Sequence, residues 1–361
     1  MLNFKVLHCP HHFPIRYMAN THQDIDPTAK SRKNDHIELA FNSQVLPNAV
    51  DHRFYYEPML SGHPKPGSLP TSPFLQKTLH APIWVSSMTG GTELATIINQ
   101  NLARACAEFG MGMGLGSCRQ LLYSNERLAD FDVRDMIGTD LPLYANLGVA
   151  QIEQLIETGA TERISDMLSK LRADGLIIHV NPLQEAMQPE GDHFNRPPIE
   201  IVQEILERFD CPIIVKEVGQ GFGPESLKAL LQLPLAAVEF GAAGGTNFAK
   251  LELLRGDAAK QEIFGQIALL GHTAEAMLNW TNAIVDELGI HEIKTKHLII
   301  SGGIGSFLDG FYLTQKSKIP AVYGQASGFL RHARGDYDVL QKFVKAQIEG
   351  LSLAHALLKV R

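Results

Sequence analysis

What most constrains this chain is an alternation that begins after Pro82. Short apolar runs take turns with longer amphipathic stretches. The runs occupy 83–87, 112–116, 143–147, 176–180, 212–218, 236–240, 298–301 and 321–323, and helix-like stretches at 94–109, 199–209, 224–231 and 273–288 lie between them. The runs are apolar on both faces, as strands of a parallel sheet covered by helices must be. Eight such units predict a closed (β/α)8 barrel. An open doubly wound sheet would want a GxGxxG turn after the first strand, and that turn is missing. The expected class is therefore α/β, a (β/α)8 TIM barrel with an N-terminal extension. Residues 1–80 would form the extension and a lid-like segment. Residues 81–361 would form the barrel, with a C-terminal helix at 337–358.

Helix 94–109 carries Ile97, Ile98, Leu102, Ala105 and Phe109 on one face, and Gly110 stops it. The first 80 residues have little periodicity. They hold a His-rich patch (His8, His11, His12), whose spacing matches no standard metal site, and a Pro-rich patch. One segment reads as a helix, with Ser31 as its cap and Arg32 to Ala40 following.

Composition excludes several classes. The net charge is −7 and no long basic run occurs, so nucleic acid is not an expected partner. No apolar run is long enough to span a bilayer, and no secretory signal is expected. The four cysteines form no CxxC pair, which points to a reducing, cytoplasmic compartment and away from a zinc site.

In such a barrel the chemistry sits at the C-terminal ends of the strands. The fourth end is the densest. Leu176-Ile177-Ile178 runs into His179, Asn181, Gln184 and Glu185, followed by an acidic Pro189-Glu190-Gly191-Asp192 turn. Glu185 is the carboxylate of that cluster. At the fifth end Lys216 stands inside an apolar strand, where a buried ammonium needs a partner. Pairing with Glu217 is not expected, since strand neighbours face opposite ways. Lys216 is therefore expected in the barrel mouth against an electron-rich ring. Glycines at the seventh end and small residues at the eighth let backbone N–H groups approach an anion.

These segments together resemble the type 2, flavin-dependent isopentenyl-diphosphate isomerases. The matching residues are Arg32-Lys33-x-Asp35-His36, Ser87-Met88-Thr89-Gly90-Gly91, Gly116-Ser117, Ala145-Asn146-Leu147-Gly148, His179-x-Asn181-Pro182-Leu183-Gln184-Glu185 with Pro189-Glu190-Gly191-Asp192, Val215-Lys216-Glu217-Val218-Gly219, Gly244-Gly245-Thr246-Asn247-Phe248 and Ser301-Gly302-Gly303. The HxNxxQE and PEGD combination is specific, whereas SGG is shared by many flavin barrels. The chain departs from the pattern at Cys118, at Glu239 to Ala243 and at Gln325-Ala326-Ser327.

The resemblance implies FMN, Mg2+, NADPH as reductant, a prenyl diphosphate substrate, and a tetrameric or octameric homo-oligomer. Carried over by motif, Ser87, Met88, Thr89, Ser117, Asn146, Lys216 and Thr246 would hold the flavin ring and ribityl chain. Gly302, Gly303, Ala326 and Ser327 would hold its phosphate. Arg32, Lys33, Ser117, Arg119, His179 and Asn181 would face the substrate. Glu185 would bind Mg2+, and Gln184 would lie beside the reacting carbons, with His179 and Asn181 as further catalytic residues. Two rival readings are an FMN-dependent 2-hydroxy-acid oxidase, which needs a His base beside an Arg clamp near the sixth or seventh end, and a non-catalytic flavin-binding barrel.

Overall fold

The computed structural model describes residues 28–87 and 89–361; the His-rich patch at 8–12 and Met88 lie outside the described residues. The chain divides into two compact units, Met1–His52 and Arg53–Arg361. In the first, helix Ala29–Leu39 carries Arg32 and Lys33. Thr28 stands at its N-cap, so Ser31 lies inside the first turn and does not cap it, contrary to the sequence expectation.

The second unit is built on a closed eight-stranded parallel barrel. Its strands are β1 (Ile83–Val85), β2 (Gly112–Gly114), β3 (Leu143–Gly148), β4 (Gly175–Val180), β5 (Ile213–Glu217), β6 (Ala237–Glu239), β7 (Leu298–Ser301) and β8 (Ala321–Gln325). Each falls on one of the apolar runs. Closure is made by β8 against β1, with Tyr323 opposite Ile83 and Gln325 opposite Val85. The strands are buried because helices cover them outside and side chains fill them inside.

Helix Glu93–Phe109 shows how sequence builds the outer layer. Thr92 caps it by accepting from the Ala95 N–H, and Gly110 ends it in the left-handed region at φ +68°. Its buried face is Ile98, Leu102, Ala105 and Cys106, while Ile97 is 48% exposed. Consecutive helix residues sit about 100° apart, so Ile97 and Ile98 do not share the core-facing arc.

The N-terminal end of the barrel is plugged by a hairpin, strands Ser72–Phe74 and Lys77–Leu79. Phe74 meets Trp84 and His297, and Trp84 meets Tyr144, with ring centroids 5.0–6.0 Å apart. The hairpin turn uses Leu75 and Gln76 at positive φ. Lys77 anchors it to Asp174, just before β4. A further strand, Phe54–Tyr56, pairs antiparallel with the C-terminal Leu358–Val360 after helix Tyr337–Leu357. Segment 53–80, which has no clear periodicity, is thus tied to the barrel body. Among the described residues no helix is long and apolar enough to cross a membrane.

Candidate active site

Strand register brings the first functional row together. Gly148, His179, Lys216 and Glu239 lie side by side on β3, β4, β5 and β6. Residues in one register row of a parallel sheet point to the same side. A Cβ on Gly148 would come within 2.8 Å of His179 Nε2, so glycine there leaves room for the imidazole. His179 Nδ1 is 2.8 Å from Asn146 Oδ1. Asn146 Nδ2 donates to the Leu115 carbonyl, which leaves its Oδ1 as the acceptor and makes Nδ1 the protonated nitrogen. Burial, and next the charge of Lys216, push the His179 pKa down to about 3. Burial thus favours His179 as a neutral hydrogen-bonding group over an imidazolium.

Lys216 is buried and donates to the Glu217 backbone carbonyl at 2.9 Å. The Glu217 carboxylate does not pair with it. It accepts the N–H groups of Gly219, Gln220 and Gly221 at 2.6, 2.6 and 2.8 Å and so shapes the loop after β5. Burial raises its pKa, against those three N–H donors and Lys216. The partner of Lys216 in register is Glu239, which is fully buried and accepts from Ser301 Oγ at 3.2 Å. Burial holds the Glu239 carboxyl above the usual carboxylate range, against the pull of Lys216.

A second group forms after β4. Asn181 precedes helix Pro182–Met187, whose Pro182 suits the first helical position. Asn181 Nδ2 reaches Gln184 Oε1 at 3.1 Å and Glu185 Oε1 at 2.8 Å. Glu185 Oε2 takes the Asp192 N–H at 2.8 Å, which folds the acidic turn back onto the cluster. Asp192 in turn pairs with Arg119 at 2.9 Å and Gln151 at 2.7 Å. Gln184 Nε2 donates to Glu252 Oε1 at 3.3 Å, and Glu252 is buried and paired with Arg255 at 2.5 Å. Glu252 comes from helix Phe248–Arg255, capped by Asn247. A small apolar core of Met187, Ala249, Leu253 and Ala268 holds the two helices together.

Beside these groups the barrel mouth opens into a cavity of about 360 Å³. Among the described residues its charged lining groups are Lys216 and Glu239, with no His or Arg side chain. Ser87, Lys216, Thr246, Gly302, Gly303, Ala326 and Ser327, all expected at a flavin, line it. Leu251 also lines it, one residue before Glu252, so the cavity adjoins the Gln184 cluster. A Cβ on Gly302 would fall 2.0 Å from the Ala242 carbonyl oxygen, and one on Gly244 would fall 3.0 Å from Gly303 Cα. Both glycines have positive φ, +90° and +110°. Only glycine allows these loops to lie this close with their backbones bare. Ser87 Oγ and Gln325 Oε1 are buried in this wall and have no hydrogen-bond partner among the described residues. Bare backbone, one buried cation and orphaned polar atoms fit an anionic, hydroxyl-bearing aromatic group such as FMN.

Other expected residues lie elsewhere. Asn146 is buried behind His179, while Ser117 and Arg119 are exposed beyond β2. The Thr89 carbonyl stands where a Cβ on Gly116 would fall, at 2.3 Å, so the first two strand ends are in close contact. Among the described residues no group of three or more His, Cys, Asp or Glu side chains forms a metal site. Glu185 alone fits a hard cation if substrate oxygens complete the shell. Sequence reading did not single out as site residues Glu239, Glu252 and Gln325, which are buried beside these groups. An acid inside the apolar run 236–240 was the same kind of signal as Lys216, whereas nothing local marks Glu252.

No family model matches the chain. Curated relatives do. It is 32% identical over 333 residues to the isopentenyl-diphosphate delta-isomerase of Rickettsia felis, covering 89% of this chain and 90% of that protein. The same-named proteins of Rickettsia africae and Rickettsia bellii are 32% and 31% identical, each over 89% of this chain and 91% of theirs. Solved structures share the fold. The flavin-binding domain of baker's yeast flavocytochrome b2 matches at TM-score 0.53 with 13% identity, over 84% of this chain and 72% of that one. A lactate oxidase of Pediococcus acidilactici matches at TM-score 0.52 with 14% identity, over 86% and 84%. With the barrel closed and the HxNxxQE cluster assembled at its mouth, the extent of the match to the named isomerases establishes that the chain belongs to the type 2 isopentenyl-diphosphate delta-isomerase family.

Proposed function

We propose that this isomerase interconverts isopentenyl and dimethylallyl diphosphate by a 1,3-proton shift that requires reduced FMN and Mg2+, with NADPH as the source of electrons. The observation that carries the reading is the buried Lys216 ammonium lining a glycine-walled cavity that adjoins the Gln184–Glu252 hydrogen bond. Moving the double bond of an unactivated alkene needs a proton delivered at one carbon and removed at another. Bound reduced FMN would supply electron density to a cation-like carbon skeleton, with no net redox change.

The residues divide the remaining work. Lys216 lines the cavity, and its ammonium would favour an anionic ring. Gly302, Gly303, Ala326 and Ser327 offer the flavin phosphate a close approach. Gln184, oriented by Asn181 and Glu252, holds an amide beside the reacting carbons. Neutral His179, whose Nδ1–H is given to Asn146, offers Nε2 as an acceptor without adding charge. Glu185 would hold Mg2+ against the diphosphate. Arg32, Lys33 and Arg119 have the guanidinium and ammonium chemistry to bind the diphosphate oxygens. Arg119 would do so by exchanging Asp192 for substrate. Assembly into tetramers or octamers belongs to the same proposal.

The 2-hydroxy-acid oxidase reading is less well supported, because among the described residues the cavity lining offers neither His nor Arg. The test is turnover of isopentenyl diphosphate by purified protein under anaerobic conditions. Activity should need FMN, a reductant and Mg2+ together. Full turnover with oxidised flavin, or without flavin, would overturn the reading.

A further inference from the structure

We propose that Gln325 is a binding residue of the cavity, its side-chain oxygen accepting a hydrogen bond from a ribityl hydroxyl of the flavin. This rests on the flavin reading above and adds a contact that neither the motifs nor the resemblance assigns. Gln325 ends β8 and is 6% exposed, yet it lines the cavity beside Gly302 and Gly303. Its Nε2 donates to the Ile304 carbonyl at 3.1 Å. That contact orients the amide, because the flipped amide would set two carbonyl oxygens against each other. Oε1 is then the atom left over, and among the described residues it has no hydrogen-bond partner. Its backbone is pinned too, since the Gln325 carbonyl accepts from the Ser86 N–H at 3.1 Å.

A buried carbonyl oxygen calls for a donor. The flavin phosphate only accepts, so it cannot serve. The Lys216 ammonium donates to the Glu217 carbonyl and does not reach Gln325. The donors of a flavin are its ring N–H groups, N3–H and on reduction also N5–H, and the ribityl hydroxyls. Gln325 stands beside the glycine turn that would take the phosphate, and Lys216 marks the ring end. The group that joins phosphate to ring is the ribityl chain, so a hydroxyl there is the matching donor.

Three ligands separate the possibilities. FMN carries phosphate and ribityl, riboflavin only ribityl, and lumiflavin neither. Dissociation constants would be measured by flavin fluorescence on apo protein, with thermal unfolding as a fold control. Gln325→Met should weaken FMN and riboflavin equally, by about five- to tenfold, and leave lumiflavin unchanged. Gln325→Glu, which keeps an acceptor oxygen, should retain riboflavin better than Gln325→Met. Loss for FMN alone would show that Gln325 acts by holding the Gly302-Gly303-Ile304 turn, and would overturn the proposal. Equal loss for all three ligands, or no loss, would also overturn it. Wild-type protein that binds no flavin would end the flavin reading itself, and the proposal with it.

Discussion

Gln184 and Glu252, 68 positions apart, meet through a 3.3 Å hydrogen bond that joins the helix after β4 to the helix after β6. Glu252 is buried and its other oxygen is held by Arg255. The carboxylate therefore fixes which way the Gln184 amide points. Glu252→Gln should keep the packing of Leu253 and Met187 but lose that control. Turnover should fall by about 10²-fold, in line with the cost of misplacing a group at a reacting centre. FMN affinity should stay within about twofold. Steady-state kinetics beside a flavin titration would check this, and unchanged turnover would make the bond merely structural.

Glu185 is the residue proposed to hold Mg2+, and Asn181 and the Asp192 N–H hold its carboxylate in place. Glu185→Gln removes the negative charge and keeps the shape. The Mg2+ concentration for half-maximal activity should rise at least about tenfold, since one charged ligand contributes on that order. A Mg2+ titration at saturating substrate reads the effect. A variant with wild-type Mg2+ demand would exclude Glu185 as the ligand.

Lys216 should lower the pKa of reduced flavin, as a cation within a few ångströms of an anion does, by about 1–3 units. Lys216→Met should raise that pKa and weaken FMN binding. Spectral titration of the reduced holoprotein would show it. If neither quantity moves, the ammonium does not face the ring.

His179 makes apo protein sensitive to acid. Its pKa is about 3 when folded and near 6.5 when the chain is unfolded. Between those values the unfolded chain binds the extra proton, so stability falls as pH drops below 6.5. The slope from one such group is about 1.4 kcal/mol per pH unit well below 6.5. Burial lowers the pKa values of His297 and His355 as well, which adds slope of the same sign. Buried Glu217 and Glu239, with raised pKa values, contribute the opposite sign above the ordinary carboxylate range. The readout is therefore a difference. Urea unfolding of His179→Gln should lose less stability between pH 6.5 and pH 5 than wild type, and parallel curves would refute the assignment.

The barrel was legible in the chain because parallel strands buried on both faces must be written as apolar runs. The runs at 176–180, 212–218 and 298–301 became β4, β5 and β7 with little change of boundary. The glycines at 302 and 303 and the lysine at 216 were legible for a similar reason, being residues that a covered strand or its end tolerates only for a purpose. What the chain did not disclose was who meets whom. Lys216 faces Glu239 because of strand register, and Glu252 reaches Gln184 because two loop helices share a small core of their own. Arg119 finds Asp192 across 73 positions. Ile97 and Ile98 share a helix, yet only one enters the core. The plug turn at Leu75 and Gln76 takes positive φ without glycine, so turn chemistry could not announce it. Local pattern reports how each segment wants to fold, because burial and backbone preference act residue by residue. Contacts between distant segments depend on barrel closure and register, and only the tertiary structure sets those.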